Sequence, residues 1–547
     1  MMMDFIANNY PLLMFITLLT FFILGYQISF SLMATALIFG IIAHFNGDMH
    51  LNNFAAIPEN IWGSVMINDT LLAIPFFTLM GLILERCGIA EDLLDNIAKL
   101  FGPVRGGLTY AVIFVGAILA ATTGIVAASV IAMGLISLPI MLRYNYDRKI
   151  ACGTIIASGT LAQILPPSLV LIILSDQLGQ SVGDMYKGAL LPSLLLIAFY
   201  CFYIFFIGKI SPKKLPAAHH IFSQEISHKK IIFETSPIFL SIFLSLLLFF
   251  PAGTMIDTQT VKPSYFYSLI LIGIIGLLSL PLLRNKRTLL FPIIKNIIQS
   301  IIPPIFLIFL VLGTIFQGIC TPTEAGAIGA CGAILLSLFR KRLSHTLLKE
   351  ATIKTTELAT FVMFILIGAR IFTFTFYNLD GHHFIEDLFG NLPGGTLGFL
   401  LIVNIMIFFL AFFLDFFEIV FILVPLLAPI AQALGIDLIW FGVILGLNLQ
   451  TSFMTPPFGF SLFYMRSVAP KEKYFDEKIN EYIEGIKTTE IYKSVLPFLL
   501  IQLIIVLLVI IFPKLVIFEN QDNIDLTIIE RQLPKLPPLK DPILFLN

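Results

Sequence analysis

Apolar residues run along this chain in blocks long enough to cross a hydrocarbon layer of about 30 Å, which takes about 20 helical residues. Short polar or charged links separate the blocks. Two blocks stand apart because polar residues lie inside them and end in a proline pair. They are Ser158-Gly-Thr-Leu-Ala-Gln-Ile-Leu-Pro-Pro167 and Asn448-Leu-Gln-Thr-Ser-Phe-Met-Thr-Pro-Pro457. Proline removes a backbone donor and clashes with the preceding turn. The pattern therefore predicts helices over 150–175 and 439–463, broken at membrane depth by Pro166, Pro167, Pro456 and Pro457. Such a break frees peptide groups that lipid cannot satisfy, so it must face protein, a polar cavity or an ion.

Positive charge supplies a topology, because cytoplasmic loops collect lysine and arginine. The clusters are Arg143/Arg148/Lys149, Lys209/Lys213/Lys214, Arg284/Lys286/Arg287, Arg340/Lys341/Arg342 and Arg466/Lys471/Lys473. Placing all five inside leaves two stretches, 107–142 and 396–430, whose flanking loops share one side. Each could be two short crossings, but arms of about 15 to 18 residues are short for a span and favour re-entrant helical hairpins entering from opposite faces, with tips at Thr122-Thr-Gly124 and near Asp415. Elsewhere, 236–250 and 264–283 predict an extra helix pair, 301–319 and 322–339 a second pair, and 358–377 a span. Segments 51–65 and 344–357 read as amphipathic arms along the interface.

An internal repeat runs through the same elements. Gly88-Ile-Ala-Glu-Asp-Leu-Leu94 recurs as His383-Phe-Ile-Glu-Asp-Leu-Phe389, and Leu138-Pro139-Ile140 as Ala428-Pro429-Ile430. With the two diprolines, these matches keep one order and a near-constant spacing. The halves start on opposite sides, so the expected fold is an all-α polytopic membrane protein of inverted repeats. The division is a first repeat (1–208), a linker with the extra helix pair within 236–283 (209–300) and a second repeat (301–465). A charged segment (466–493), a last helix (494–513) and a proline-rich tail (514–547) follow.

Composition agrees with this reading: hydrophobic residues make up 58%, charged residues 12%, and mean hydropathy is +0.95. The N-terminal apolar stretch lacks a basic leader and reads as a first membrane helix, not a cleaved signal. The five cysteines are scattered among apolar neighbours and read as small packed hydrophobes. No Gly-x-x-x-x-Gly-Lys-Ser/Thr loop occurs, which argues against a self-contained ATP-driven pump.

Chemistry then concentrates at the breaks and tips. Ser158, Thr160 and Gln163 offer side-chain oxygens in the first half, and Gly159 admits close backbone approach. Asn448, Gln450, Thr451, Ser452 and Thr455 do the same in the second. Unwound carbonyls with such oxygens suit a hard monovalent cation, and half-helix N-termini suit a carboxylate. One segment alone would read equally well as a proline kink patched by serine and threonine; two at matching places favour a site. Thr122, Thr123 and Gly124 add a small-residue tip. Asp415 and Glu418 lie three apart on one helix face, where a mid-membrane charge needs a cavity or partner. Arg370 suits a substrate carboxylate or a structural acid. Glu324 reads as a helix cap, and His382 and His383 as exposed loop residues rather than a metal site.

At these residues the chain resembles the large membrane subunit of tripartite ATP-independent periplasmic (TRAP) transporters, the DctM-like permeases. The carrying segments are Ala121–Gly134, Ala157–Ser168, Thr321–Ala327 and Asn448–Gly459, within a likeness covering most of 10–208 and 300–513. The middle insertion and the long tail depart from the family. The resemblance implies an elevator-type, sodium-driven importer of an organic anion such as a dicarboxylate, sialic acid or keto acid, in the bacterial inner membrane. It implies two partners, a soluble extracytoplasmic binding protein (DctP-like) and a small four-helix membrane subunit (DctQ-like) on a separate chain. It implies no cofactor beyond Na+ as coupling ion, and no nucleic acid. By matching motif, Thr122, Thr123, Gly124, Ser158, Gly159 and Thr160 are first-half sodium candidates. Asn448, Gln450, Thr451, Ser452 and Thr455 are the second-half ones. Asp415, Glu418, Arg370 and Gln163 are the candidates for substrate. The alternative is a stand-alone Na+- or H+-coupled carboxylate transporter; a channel or intramembrane enzyme fits less well.

Overall fold

The computed structural model describes residues 9–101, 104–217, 291–390, 393–477 and 479–517. The extra helix pair within 236–283, the Arg284/Lys286/Arg287 cluster and most of the tail lie outside those residues. Among the described residues, seven helices are long and apolar enough to cross a bilayer, or nine if each of two bent pairs counts as one span. The chain is a helical membrane protein. Its one sheet among those residues is the two-stranded hairpin Tyr474–Asp476 and Glu481–Ile483.

Two helical hairpins and two interrupted helices pack at the centre. The first hairpin joins Gly107–Thr123 to Val126–Arg143, the second Gly395–Leu410 to Phe416–Ala433. The first interrupted helix has an entering arm, Arg148–Thr160, and a leaving arm, Leu169–Gln177; in the second these are Leu438–Met454 and Phe460–Val468. Helix starts in the two halves correspond: Val126 with Phe416, and Arg148 with Leu438, each displaced by 290 positions, the separation of the diprolines. The N-caps correspond too. Asp147 accepts from the amides of Lys149 and Ile150, and Asp437 from that of Trp440. Each satisfies helix-terminal donors that would otherwise be orphaned.

Around this centre, Ala73–Arg86 packs on Pro322–Phe339, on His345–Asn378 and on the first hairpin. His345–Asn378 is one unbroken helix of 34 residues, so the arm expected over 344–357 and the span expected over 358–377 are continuous. The polar surface of its first turns had suggested a separate arm, but nothing there removes an intrahelical hydrogen bond. Residues 51–66 form the short helices Leu51–Phe54 and Ala56–Ile61 followed by a π-helical turn, Trp62–Met66. Thr321 and Glu324 form a reciprocal capping box at the start of Pro322–Phe339.

The last helix, Thr488–Ile511, lies against the first entering arm so closely that a Cβ on Gly153 would fall on the Ser494 carbonyl. The strand hairpin before it is held by Arg143, whose Nε and Nη2 both donate to Asp476 Oδ2 at 3.1 and 3.0 Å. Nearby, the Leu108 amide donates to the Tyr146 hydroxyl, and burial pushes that phenol up to about 12. Asp476 is buried, so Asp476→Ala strands a largely enclosed guanidinium. We expect a loss of about 1.5–3 kcal/mol, the usual worth of hydrogen bonds to a charged group. A double-mutant cycle with Arg143→Met checks it: the two substitutions should be less than additive, by about the worth of the pair.

Candidate functional site

Both breaks are repaired in the same way. After Thr160 the chain makes a 3-10 turn, Leu161–Gln163, and restarts as a helix at Leu169. Ser168 Oγ donates to the Gln163 carbonyl at 2.7 Å and caps the new helix by accepting from the Val170 amide at 3.2 Å. In the second half Ser461 Oγ donates to the Phe453 carbonyl at 2.5 Å. Gln163 and Phe453 occupy matching repeat positions, so in each half a leaving-arm serine takes up the carbonyl that the break exposes. The Pro166–Pro167 and Pro456–Pro457 peptide bonds are cis. The first break is buried throughout, whereas Pro457 and Phe458 of the second are exposed.

Each hairpin tip rests on its own half's break. The first tip turns through Gly124 at φ +61°, where a Cβ would meet the Leu169 side chain at 3.2 Å and its amide nitrogen at 3.4 Å. The second places Phe412 and Phe413 against Phe458, with ring centroids 5.7 and 5.6 Å apart. The first hairpin also clasps the entering arm through glycines. A Cβ on Gly116 would lie 2.5 Å from Ser158 Cβ, and one on Gly159 lies 2.5 Å from Val130 Cγ2 and 3.1 Å from Val130 Cα.

The two breaks meet at Thr160 and Gln450. Gln450 Nε2 donates to Thr160 Oγ1 at 3.4 Å across a separation of 290 positions, and Met454 Sδ lies 3.4 Å from the same oxygen. Two residues separated by 290 positions, the spacing of the diprolines, therefore touch each other. Thr160, Gln163 and Gln450 are fully buried. Among the described residues, neither amide atom of Gln163, nor Gln450 Oε1, has a hydrogen-bond partner. Buried amides without partners are rare because the lost hydration is not repaid.

The other candidates fall into place around this centre. Ser158, Thr160, Thr451, Ser452 and Thr455 each donate a hydroxyl to a carbonyl three or four residues back on their own helix. Thr122 and Thr123 both donate to the Leu119 carbonyl, and Thr123 also pairs with Ser129 at 2.9 Å. This satisfies the protons and leaves acceptor lone pairs free. Asn448 Nδ2 donates to the Asn404 carbonyl at 2.7 Å, joining the second entering arm to its hairpin. The hydroxyl and amide oxygens of this set are a ligand chemistry suited to a hard cation.

Three candidates have other employment. Asp415 is the N-cap of Phe416–Ala433; its Oδ1 accepts from the Phe416 amide at 2.6 Å, and Glu418 Oε2 accepts from the Asp415 amide at 2.7 Å. That is a reciprocal capping box, legible from the same three-residue spacing as Thr321 and Glu324. Arg370 Nη2 donates to Gln177 Oε1 at 3.4 Å, while its Nε is buried with no partner among the described residues. Gln177 in turn donates to Asp176, which also accepts from Asn68. Arg370 thus sits at the far end of a nine-residue leaving arm, about 13 Å long at helical rise, and not with Gln163 at the break. Sequence reasoning missed Ser168, Ser461, Asn404 and Gly81, whose roles arise from packing between distant segments.

Comparison with known proteins adds a further finding. Residues 15–515 match the family described as "Tripartite ATP-independent periplasmic transporter, DctM component". The chain is 26% identical over 447 residues to the C4-dicarboxylate TRAP transporter large permease protein DctM of Pseudomonas aeruginosa, covering 81% of this chain and 84% of that protein. It is 25% identical over 495 residues to the sialic acid TRAP transporter large permease protein SiaM of Vibrio cholerae, covering 90% and 93%. It is 24% identical over 449 residues to the 2,3-diketo-L-gulonate TRAP transporter large permease protein YiaN of Escherichia coli, covering 82% and 86%.

Proposed function

The chain belongs to the DctM-component family of tripartite ATP-independent periplasmic transporters, and on that premise we propose how its paired helix breaks work. It is a large permease subunit of the inner membrane, and membership implies a small membrane subunit and a periplasmic binding protein as partners. In our reading it imports a small organic carboxylate with Na+, after the binding protein delivers the substrate. The three relatives named above take a C4-dicarboxylate, sialic acid and 2,3-diketo-L-gulonate, and an acid group is what these share.

We read the two halves as inverted repeats, with both hairpins re-entrant and their tips sheltered inside the protein. Hairpins and interrupted helices form one body that carries the site across the membrane against a scaffold containing Ala73–Arg86. Sodium is held by hydroxyl and carbonyl oxygens at the tips and breaks, Thr122 to Gly124 and Ser158 to Thr160 in one half, Asn448 to Thr455 in the other. The substrate anion is met by the amide of Gln163 at the first break, while Asp415 and Glu418 cap the helix of the second tip and Arg370 lies apart at the far end of the leaving arm. The observation that carries this reading is the Thr160–Gln450 contact, which brings two breaks together in a buried, oxygen-rich centre with unpartnered amides.

Reconstitution tests it. In proteoliposomes holding this chain and its small membrane subunit, uptake of an organic acid should require both an inward sodium gradient and the cognate binding protein. An inside-negative potential should accelerate it, since about 2.3 kcal/mol per net charge per 100 mV is available. Uptake that persists without sodium, or without the binding protein, would overturn the coupling.

A further inference from the structure

The turn after His345–Asn378 gathers three metal-ligating side chains that the transport site does not use. Asp380, His382 and His383 each present a ligand atom, and these atoms lie within 4.8 Å of one another. Two constraints hold the turn. Asp380 adopts φ +59°, a left-handed conformation uncommon outside glycine, and a Cβ on Gly381 would collide with the ring of Phe376. The backbone is thus folded tightly before any ligand arrives, and Asp380 closes onto the first turn of Gly381–Gly390 through the Phe384 amide.

We propose that Asp380, His382 and His383 form a binding site for a divalent transition-metal ion of the zinc class. Two imidazoles and one carboxylate match the ligand types that zinc takes with a fourth position left open. The imidazole–carboxylate mixture also argues against magnesium or calcium, which favour all-oxygen shells. A supporting residue is present: Glu386 Oε2 lies 3.4 Å from His383 Nδ1. A carboxylate beside a ligating histidine is the usual outer-shell support of such a site. Since Asp380 and His383 are exposed and His382 is half-buried, an ion reaches them without any opening of the fold.

The test uses the full-length chain in nanodiscs, stripped with chelator and titrated with Zn2+ against a chromophoric competitor. Cu2+ serves as a spectroscopic probe. The wild type should bind an equivalent of Zn2+ that His382→Asn/His383→Asn loses, while His345→Asn, outside the cluster, keeps it. Bound Cu2+ should show imidazole nitrogen coupling in its electron paramagnetic resonance spectrum, absent from the double variant. Glu386→Gln should weaken Zn2+ binding by about 10–100-fold, as loss of an outer-shell carboxylate typically does. Equal Zn2+ binding by wild type and double variant, or copper without nitrogen coupling at this turn, would overturn the site. Uptake activity is not the readout, so failure here leaves the transport reading untouched.

Discussion

Gln163→Leu is expected to make this protein more stable and to stop it transporting. Both amide atoms of Gln163 are buried without partners among the described residues, and the residue is fully enclosed on the 3-10 turn of the first break. An unsatisfied buried polar group costs about 1–3 kcal/mol, so an apolar residue of similar size should return an amount of that order. The measured melting temperature should therefore rise. A scaffold residue with that effect would be dispensable, but an amide kept unpaired at the meeting point of two broken helices is positioned for something that arrives. In the proposed mechanism it is the ion–substrate complex, and losing one such contact lowers uptake by about tenfold for each 1.4 kcal/mol forfeited. Gln450→Leu should move uptake in the same direction, with a smaller gain in stability because Nε2 of Gln450 already donates to Thr160. If Gln163→Leu melts higher and transports normally, the amide is a packing defect and the substrate assignment at the break falls.

The split between what the chain's linear pattern revealed and what it concealed follows from where each interaction acts. Helix breaks are local events: a proline pair removes donors at known positions, and serine or threonine beside it marks the patch. The membrane class and the two helix breaks were readable for that reason, and the family was readable from the resemblance of whole motifs. Asp415 and Glu418 were readable too, but were weighed as buried charge when their spacing also spells a capping box. Arg370 was readable only as a partner for a substrate carboxylate or a structural acid. Its hydrogen bond to Gln177 joins residues 193 apart in sequence, which no spacing rule anticipates. The Thr160–Gln450 contact was concealed for the same reason, although the repeat offset contained it. The offset narrows the search to pairs 290 positions apart without saying which one meets. The inverted sense of the halves needs a membrane to define it and stays with the proposed mechanism.

Gly81→Ala carries the other large effect, and it tests motion rather than binding. Gly81 lies in Ala73–Arg86, and its Cα approaches the first hairpin tip where no side chain fits. A Cβ there would stand 2.6 Å from Thr123 Cα, 3.0 Å from the Thr123 carbonyl and 3.1 Å from the Thr122 carbonyl. All three are backbone atoms near Gly124, so rotating a side chain cannot relieve the overlap. Overpacking of this kind costs about 1–3 kcal/mol. In the proposed mechanism Gly81 belongs to the scaffold and Thr123 to the moving body, so the penalty falls on this one arrangement and not on the fold as a whole. Displacing the equilibrium by that amount slows a cycle that must pass through this arrangement by about tenfold per 1.4 kcal/mol. We expect uptake to drop by that order, with sodium and substrate binding to the solubilised protein much less changed. Gly63→Ala is the control, a helical glycine with nothing within 4 Å of the added carbon, and should transport as the wild type does. Were Gly81→Ala to weaken ligand binding and transport equally, the contact would belong to the site itself, and Ala73–Arg86 could not be the fixed surface against which the tips slide.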